Sequence, residues 1–389
     1  MRILYHHRTQ AEDGQAVHIR AMIAAFGRAG HQVREVALVR RAGGEGRTGR
    51  VSRWSLVTHT PRFAREIAEY AYTPFAREAI LRRAVGFEPS FVYERYAFGN
   101  AGGVQAARKL GIPLVLEVNA PVADELARTR GLTFPGLARR LEDHVLRSAT
   151  RVCAVSNVLA NTLVARGVRP ERLFVTQNGV DLAAYAVSDP VAARAHSRAS
   201  LGLPPERAGE LVLGFVGFFR DWHRLDVALE ALGDPALSHA RLVLVGEGPA
   251  RSPLEERARA LGLGERLHFA EARPHAEVPG LLRAFDVALL PAINPYASPL
   301  KLHEYMAASL PVIAPDQENL REVLTHGENG WLVPGGDAQA MRAALLVLGR
   351  DPALRARLGA RARRTIEERD LTWDGNVRRV LGAVEGLVR

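Results

Sequence analysis

Short apolar, β-branched runs alternate with helical patterns along this chain, and near residue 209 the series begins again. In the first half, residues 2–5 read as a buried strand, and Gly14 lies in a polar loop. Residues 16–29 carry helical periodicity closed by Gly30, the usual residue just past a helix end. Residues 33–39 alternate apolar and polar, which is the period of a strand. Further strands are expected at 91–93, 114–118 and 151–155, with helices at 102–110 and 138–148, while the Arg/Gly-rich stretch 40–50 looks weakly ordered. Strands that alternate with helices imply a parallel sheet covered on both faces.

Residues 186–208 are rich in Ala, Arg, Ser and Pro, have no strong period, and read as a linker. Strands are then expected at 211–216, 241–245, 267–270, 287–290 and 312–314, with a helix at 253–261. Late helices at 337–350 and 353–368 precede Trp373 and a terminal helix running to about 387. The pattern is therefore α/β, with two Rossmann-like, doubly wound domains at 1–185 and 209–371. Residues 372–389 are expected to cross back to the first domain. A length of 389 residues suits two domains at roughly 100–200 residues each. Open α/β sheets bind ligands outside the carboxyl ends of their strands, so a cleft faced by both domains is expected. This bounds the fold and leaves the chemistry to particular residues.

Cys153 is the single cysteine, which excludes a disulfide framework and a Cys-based zinc cluster. The N-terminus turns polar after five residues, so no signal peptide is expected. No apolar run approaches the roughly 18–20 residues that span a bilayer, and the cytoplasm is the expected address. The net charge of +10 is held unevenly. Residues 1–185 carry 27 Arg/Lys against 16 Asp/Glu, whereas residues 186–389 carry 25 against 26. A basic first half points to an anionic membrane face or nucleic acid, or to a solvated surface with no partner. Residues 62–83 add a basic amphipathic helix that suits either an anionic bilayer or ordinary core packing. Arginine outnumbers lysine 50 to 2, as codon bias would give, and this singles out Lys109 and Lys301.

The most informative segment runs from Tyr296 to Ala314. Ser298 suits an N-cap and Pro299 the first position of a helix over 300–308, stopped before Pro311. Free N–H groups at such an end, with the helix dipole, attract a phosphate. Lys301 in the first turn opposes the dipole unless an anion binds beside it. Glu304, one turn on, can accept both hydroxyls of a ribose; alternatively the two form an ordinary exposed i, i+3 pair.

Pro299-Leu-Lys-Leu-His-Glu-Tyr-Met-Ala-Ala-Ser-Leu-Pro-Val-Ile-Ala314 resembles the donor-site helix of the retaining glycosyltransferases of family 4. Gln177-Asn-Gly-Val-Asp181, Val245-Gly-Glu-Gly-Pro249, Gly327-Glu-Asn-Gly-Trp-Leu-Val333 and Trp373 are similar to that family's other segments, in the same order. The resemblance implies a GT-B fold, with an acceptor-binding first domain and a nucleotide-sugar-binding second one. Four positions depart from the family pattern. Tyr296 stands where a Glu is frequent, Phe218 for an Arg, His223 for a Lys, and Asn119 for a His. Arg220 is the nearest replacement cation, and Arg220 and His223 are expected to face the diphosphate. Asp13-Gly14-Gln15 sits where the family has a glycine pair, and Glu94 and Arg95 end a strand as acceptor contacts or as a structural ion pair.

The catalytic candidates are Asn119, Arg220, Lys301 and Glu304. Donor contacts are expected from Gly14, Gly217, Arg220, His223, Gly246, Glu247, Arg273, Ser298, Pro299, Leu300, Lys301 and Glu304. Acceptor contacts are expected from Gln15, Glu94, Arg95 and Asn119. There is no Asp-x-Asp motif, and no metal ligand or cofactor is expected. The expected activity is metal-independent transfer of a hexose-type sugar, with retention, from a UDP- or GDP-linked donor to a glycan or lipid-linked acceptor. Another GT-B enzyme, such as a nucleotide-sugar epimerase or a phosphorylase, and a non-enzymatic basic binder are the alternatives. A nucleic-acid binder would want interleaved stacking rings, and aromatics are only 6%.

Overall fold

A computed structural model describes residues 1–9, 14–37, 61–204 and 209–388, so Asp13 and the stretch 40–50 lie outside the described residues. Chain contacts divide it into two units, Met1–Gln177 with Asp374–Arg389, and Asn178–Trp373.

Unit 1 opens with β1 (Arg2–His7), α1 (Gly14–Arg28) and β2 (Gln32–Ala37). The helix α2 (Arg62–Ala84) leads to β3 (Phe91–Arg95), α3 (Gly102–Leu110) and β4 (Leu114–Val118). Then come α4 (Val122–Thr129), α5 (Pro135–Ser148), β5 (Arg151–Ala154), α6 (Asn157–Ala165) and β6 (Leu173–Val175). The sheet runs β2-β1-β3-β4-β5-β6, and every pair is parallel. Strands covered on both faces must be apolar throughout, which is why Ile3, Leu4, Phe91, Val92, Val115 and Leu116 are fully buried in unbroken runs. β2, at the edge, is the most exposed strand of this sheet, with Val36 its one buried residue. Cys153 is a buried core residue, its Sγ 2.7 Å from Thr176 Oγ1.

Unit 2 begins with α7 (Pro190–Ser200), inside the segment read above as a linker. Asp189 caps this helix by accepting from the N–H groups of Val191 and Ala192, and Ser197 Oγ donates to the Leu281 carbonyl. Its weak hydrophobic period hid it in the sequence. Next come β7 (Leu211–Val216), α8 (Leu225–Leu232), β8 (Ala240–Val245), α9 (Arg251–Ala260) and β9 (Leu267–Ala270). They are followed by α10 (Val278–Leu281), β10 (Val287–Leu289), α11 (Leu300–Ala307), β11 (Val312–Pro315) and α12 (Glu318–Arg321). The last elements are β12 (Trp331–Val333), α13 (Ala338–Arg350), α14 (Pro352–Glu368) and α15 (Trp373–Val384), whose residues from Asp374 onward belong to unit 1.

The second sheet is ordered β12-β11-β10-β7-β8-β9, again all parallel. One core lies on each face. Val212, Val243, Ala288 and Val312 point one way, and Leu211, Leu213, Phe215, Leu242 and Ile313 the other. The strand order reverses between β7 and β10, and such a switch point is where open α/β sheets accept ligands. Where the chain enters and leaves unit 2, the two segments run side by side. Val180 pairs with Thr372, and Gly179 lies so close that a Cβ there would sit 2.5 Å from the Thr372 carbonyl carbon. Among the described residues no helix is long and apolar enough to cross a membrane.

Candidate functional site

The turn after β7 and the turn after β8 are joined backbone to backbone at the switch point of unit 2. The Gly217 N–H donates to the Val245 carbonyl (3.0 Å), and the Phe219 N–H to the Glu247 carbonyl (2.7 Å). At Gly246, with φ of 138°, a Cβ would lie 2.1 Å from the Gly217 carbonyl oxygen, so only glycine allows this approach. The fully buried Phe219 anchors the first turn from below.

From the other strand of the switch point, the loop after β10 delivers α11. Pro299, not Ser298, takes the N-cap position, and no side chain caps this end. Ser298 was expected to cap, but its Oγ is recruited elsewhere: it accepts from the Asn178 N–H (2.9 Å), while Asn178 Nδ2 donates to the Ser298 carbonyl (2.5 Å). The Asn-Gly turn therefore buttresses the loop, and the first-turn N–H groups of α11 keep their anion-binding potential. Asn319 Nδ2 fixes the same loop by donating to the carbonyls of Asn294 and Ala297. Tyr305 Oη accepts from the Val216 N–H (3.0 Å), tying α11 to the end of β7.

Lys301 folds back under the first turn. Its Nζ lies 3.9 Å from the Phe215 ring centroid and 3.4 Å from His223 Nε2. Gly217 leaves room for it, since a Cβ there would stand 2.9 Å from that nitrogen. Burial lowers the amine from 10.5 to about 7, against a smaller opposing pull from Glu304. His223 is enclosed by Phe215 and Trp222. Burial first, then the charges of Lys301 and Arg220, push its imidazole down to about 2. A neutral ring can accept one hydrogen bond from the ammonium of Lys301. An exposed Lys301–Glu304 pair does not form. Glu304 is 6% exposed and meets His275 instead, with Nε2 2.5 Å from Oε1.

The remaining donor candidates divide. Arg220 is exposed beside His223, with its guanidinium 4.8 Å from the centroid of the Phe218 ring. Glu247 is exposed and contributes its carbonyl to the joined turns, and Leu300 begins α11. Arg273 turns away and donates to the Ser200 carbonyl at the end of α7. Tyr296 is buried, its Oη accepting from Asn294 Nδ2. Asn178, His275, Asn319 and Tyr305 shape the site without having been named as site residues, although Asn178 and Tyr305 lie in the quoted motifs. Each acts through hydrogen bonds to another segment, and only the Asn-Gly turn around Asn178 carries a local signal.

In unit 1 the candidates lie at the carboxyl ends of β1, β3 and β4. Glu94 and Arg95 are neighbours on a strand and point to opposite faces, so they do not pair. Glu94 is 1% exposed, bonded by His6 Nδ1 and Asn100 Nδ2 at 2.7 Å each, which removes it as an open acceptor contact. Arg95 pairs with the buried Glu117. Glu117 also accepts from His18 Nε2 (2.9 Å), the Tyr93 hydroxyl (2.7 Å) and Asn119 Nδ2 (2.7 Å). Burial alone would push this carboxyl up; the charges of His18 and Arg95, with those hydrogen bonds, hold it well below the usual range. Asn119 stays half-buried at the rim, while Gly14 and Gln15 begin α1 exposed. Among the described residues, no group of three or more His, Cys, Asp or Glu side chains could hold a metal ion.

Residues 13–184 match the family model described as Glycosyltransferase Family 4, and residues 203–365 match Glycosyl transferases group 1. A D-inositol 3-phosphate glycosyltransferase of Salinispora tropica is 30% identical over 327 residues, covering 80% of this chain and 66% of that relative. The enzyme of that name from Rhodococcus opacus is 31% identical over 312 residues, covering 76% and 67%. The chain thus spans about two thirds of the length of these relatives. Among solved structures, HepE of Anabaena in complex with UDP superposes with a TM-score of 0.74 at 20% identity, covering 98% of this chain and all of that one. Sucrose-phosphate synthase of Thermosynechococcus elongatus gives 0.74 at 20% identity, covering 99% and 100%. These likenesses show the fold, two Rossmann-like units of the GT-B type. With family models on both units and relatives at this identity, the chain belongs to glycosyltransferase family 4 and is a GT-B glycosyltransferase.

Proposed function

We propose that the enzyme moves a hexose-type sugar from a UDP- or GDP-linked donor, held by unit 2, to a glycan or lipid-linked acceptor met by unit 1. Transfer retains anomeric configuration and uses no metal. The observation that carries this reading is the convergence of Lys301, His223 and the uncapped start of α11 beside the joined glycine turns. When the sugar–phosphate bond breaks, negative charge builds on the β-phosphate. First-turn N–H groups and the Lys301 ammonium stabilise it, with Arg220 as an exposed second cation. Retention follows if the new bond to the acceptor oxygen forms on the face the phosphate leaves, and a phosphate oxygen takes the acceptor proton. Glu304 accepts from the ribose, and Asn119 bonds a sugar hydroxyl. Support comes from HepE, solved with UDP and with UDP-glucose.

A thermal-shift panel of UDP- and GDP-sugars identifies the donor, because a ligand bound only by the folded state raises stability by mass action. Transfer that disappears in EDTA and returns with Mg²⁺ overturns metal independence. An inverted product anomer, read by NMR, overturns retention.

The acceptor side is proposed to work against an anionic cytoplasmic membrane face. Phe63 and Ile67 on α2, and Phe134 and Leu137 at the start of α5, are 50%, 51%, 41% and 52% exposed. Glu66 ties the two helix starts by accepting from the Thr133 and Phe134 N–H groups, and Arg62 and Arg65 flank the apolar residues. Apolar side chains with basic neighbours suit the headgroup region of anionic lipid.

A further inference from the structure

We infer that His275 is a positioning residue of the donor site: by holding one oxygen of Glu304, it presents the other to the ribose of the nucleotide. The inference rests on the donor-site reading above.

His275 opens a 3-10 turn after β9, directly behind Pro274. Its loop is fixed from the far side, where Arg273 donates to the Ser200 carbonyl at the end of α7. The imidazole thus reaches α11 from a separate element, held independently of it. A carboxylate can only accept, so the short contact to Glu304 Oε1 makes His275 Nε2 the N–H donor and sets the ring tautomer. The imidazole side chain is 41% exposed, whereas that of Glu304 is 7% exposed.

Among the described residues the Glu304 carboxylate makes no other hydrogen bond. An ionised carboxylate has about four acceptor positions, and a single donor on Oε1 leaves the other oxygen, which is not sealed from solvent, open to a ligand. Two vicinal hydroxyls are the matching donors, since they can meet the free oxygen and the remaining lone pair of the held one. Glu304 has two plausible local partners, Lys301 one turn back and His275 across the loop. The structure assigns it to His275, which leaves Lys301 to the phosphates and divides the nucleotide between the two residues.

The test is calorimetric titration of wild type, His275→Ala, His275→Gln, Glu304→Gln and the double variant His275→Ala/Glu304→Gln. The probes are UDP, GDP and the 2′,3′-dideoxy form of whichever binds. His275→Ala is expected to weaken the natural nucleotide about tenfold, the scale of one hydrogen bond to a charged group. His275→Gln, whose amide reaches the same oxygen, should recover most of this. All variants should bind the dideoxy form alike, and the double variant should be no weaker than Glu304→Gln alone. In turnover, KM for the donor rises about tenfold while kcat stays within about twofold. Equal losses for natural and dideoxy nucleotide would mean the loop has merely shifted, and would overturn the assignment. So would an unaffected His275→Ala, a Gln variant that fails to rescue, or a double variant weaker than Glu304→Gln. A wild type that binds neither UDP nor GDP overturns the donor-site reading itself, and is told apart by that alone.

Discussion

At the scale of the residue, Lys301 shows how a site can oppose the stability of its own fold, and Glu117 how a buried charge can support it. The Lys301 amine is lowered from 10.5 to about 7 by burial, so the folded state holds that proton less tightly than the unfolded chain does. The penalty is full below pH 7 and is relieved as pH rises toward 10.5, because the unfolded chain binds more protons throughout that window. Lys301→Met is therefore expected to melt higher than wild type at pH 7, with the gap closing toward pH 10, and to lose nucleotide binding. Differential scanning fluorimetry across pH checks the first effect and calorimetry the second. Around pH 8, binding should also draw about one proton from buffer, read from the dependence of the heat on buffer ionisation. Glu117 has the opposite sign. Its carboxyl is held well below the usual range, so its stabilisation is present above the ordinary carboxylate pKa and lost as pH falls. Glu117→Ala leaves Arg95 without its counter-charge and should cost roughly 3 kcal/mol in urea unfolding at pH 7. Below pH 4 the difference should narrow.

At the scale of the element, the strands were legible and several of their supports were not. β1, β3, β4, β7 and β8 announce themselves as apolar runs because both faces of a parallel sheet are covered. β6 and β12 are three residues each and only partly buried, too short to carry a period. The helix α7 was concealed because its apolar period is weak and Ser197 is fixed by the distant Leu281 carbonyl, although Asp189 caps its start locally. Within the site, Lys301 and Glu304 were visible from their place on a helix start. His223 was also named, but its pairing with Lys301 and that of His275 with Glu304 were not legible, since they span 78 and 29 residues of sequence. Ser298 was visible as a helix-start residue and misassigned, because Asn178 competes for its oxygen. Asn178→Ala should raise donor KM several-fold, with a melting change of only a few degrees, since it loosens a loop and leaves the cores untouched. Gly246→Ala should do more. Its Cβ has no space before the Gly217 carbonyl and its φ excludes an alanine, so the joined turns must part and nucleotide binding should fall by at least about tenfold.

At the scale of the whole molecule, the charge imbalance read from the sequence has a physical address. The basic excess belongs to residues 1–185, which also carry the exposed Phe63, Ile67, Phe134 and Leu137. Co-sedimentation with anionic vesicles should be strong at low salt and fall steeply as salt screens the arginines. Phe63→Ser/Ile67→Ser should weaken it without changing donor affinity, and binding that ignores both salt and these substitutions would sink the membrane proposal. The course of the chain has a further consequence. Because the segments entering and leaving unit 2 meet at Val180 and Thr372, residues 178–373 are an insertion with its two ends in one place. A gene segment with that shape can be exchanged between relatives by two crossovers placed close together in the fold. Chimaeras cut at those points should inherit sugar choice from the inserted segment and acceptor choice from the host.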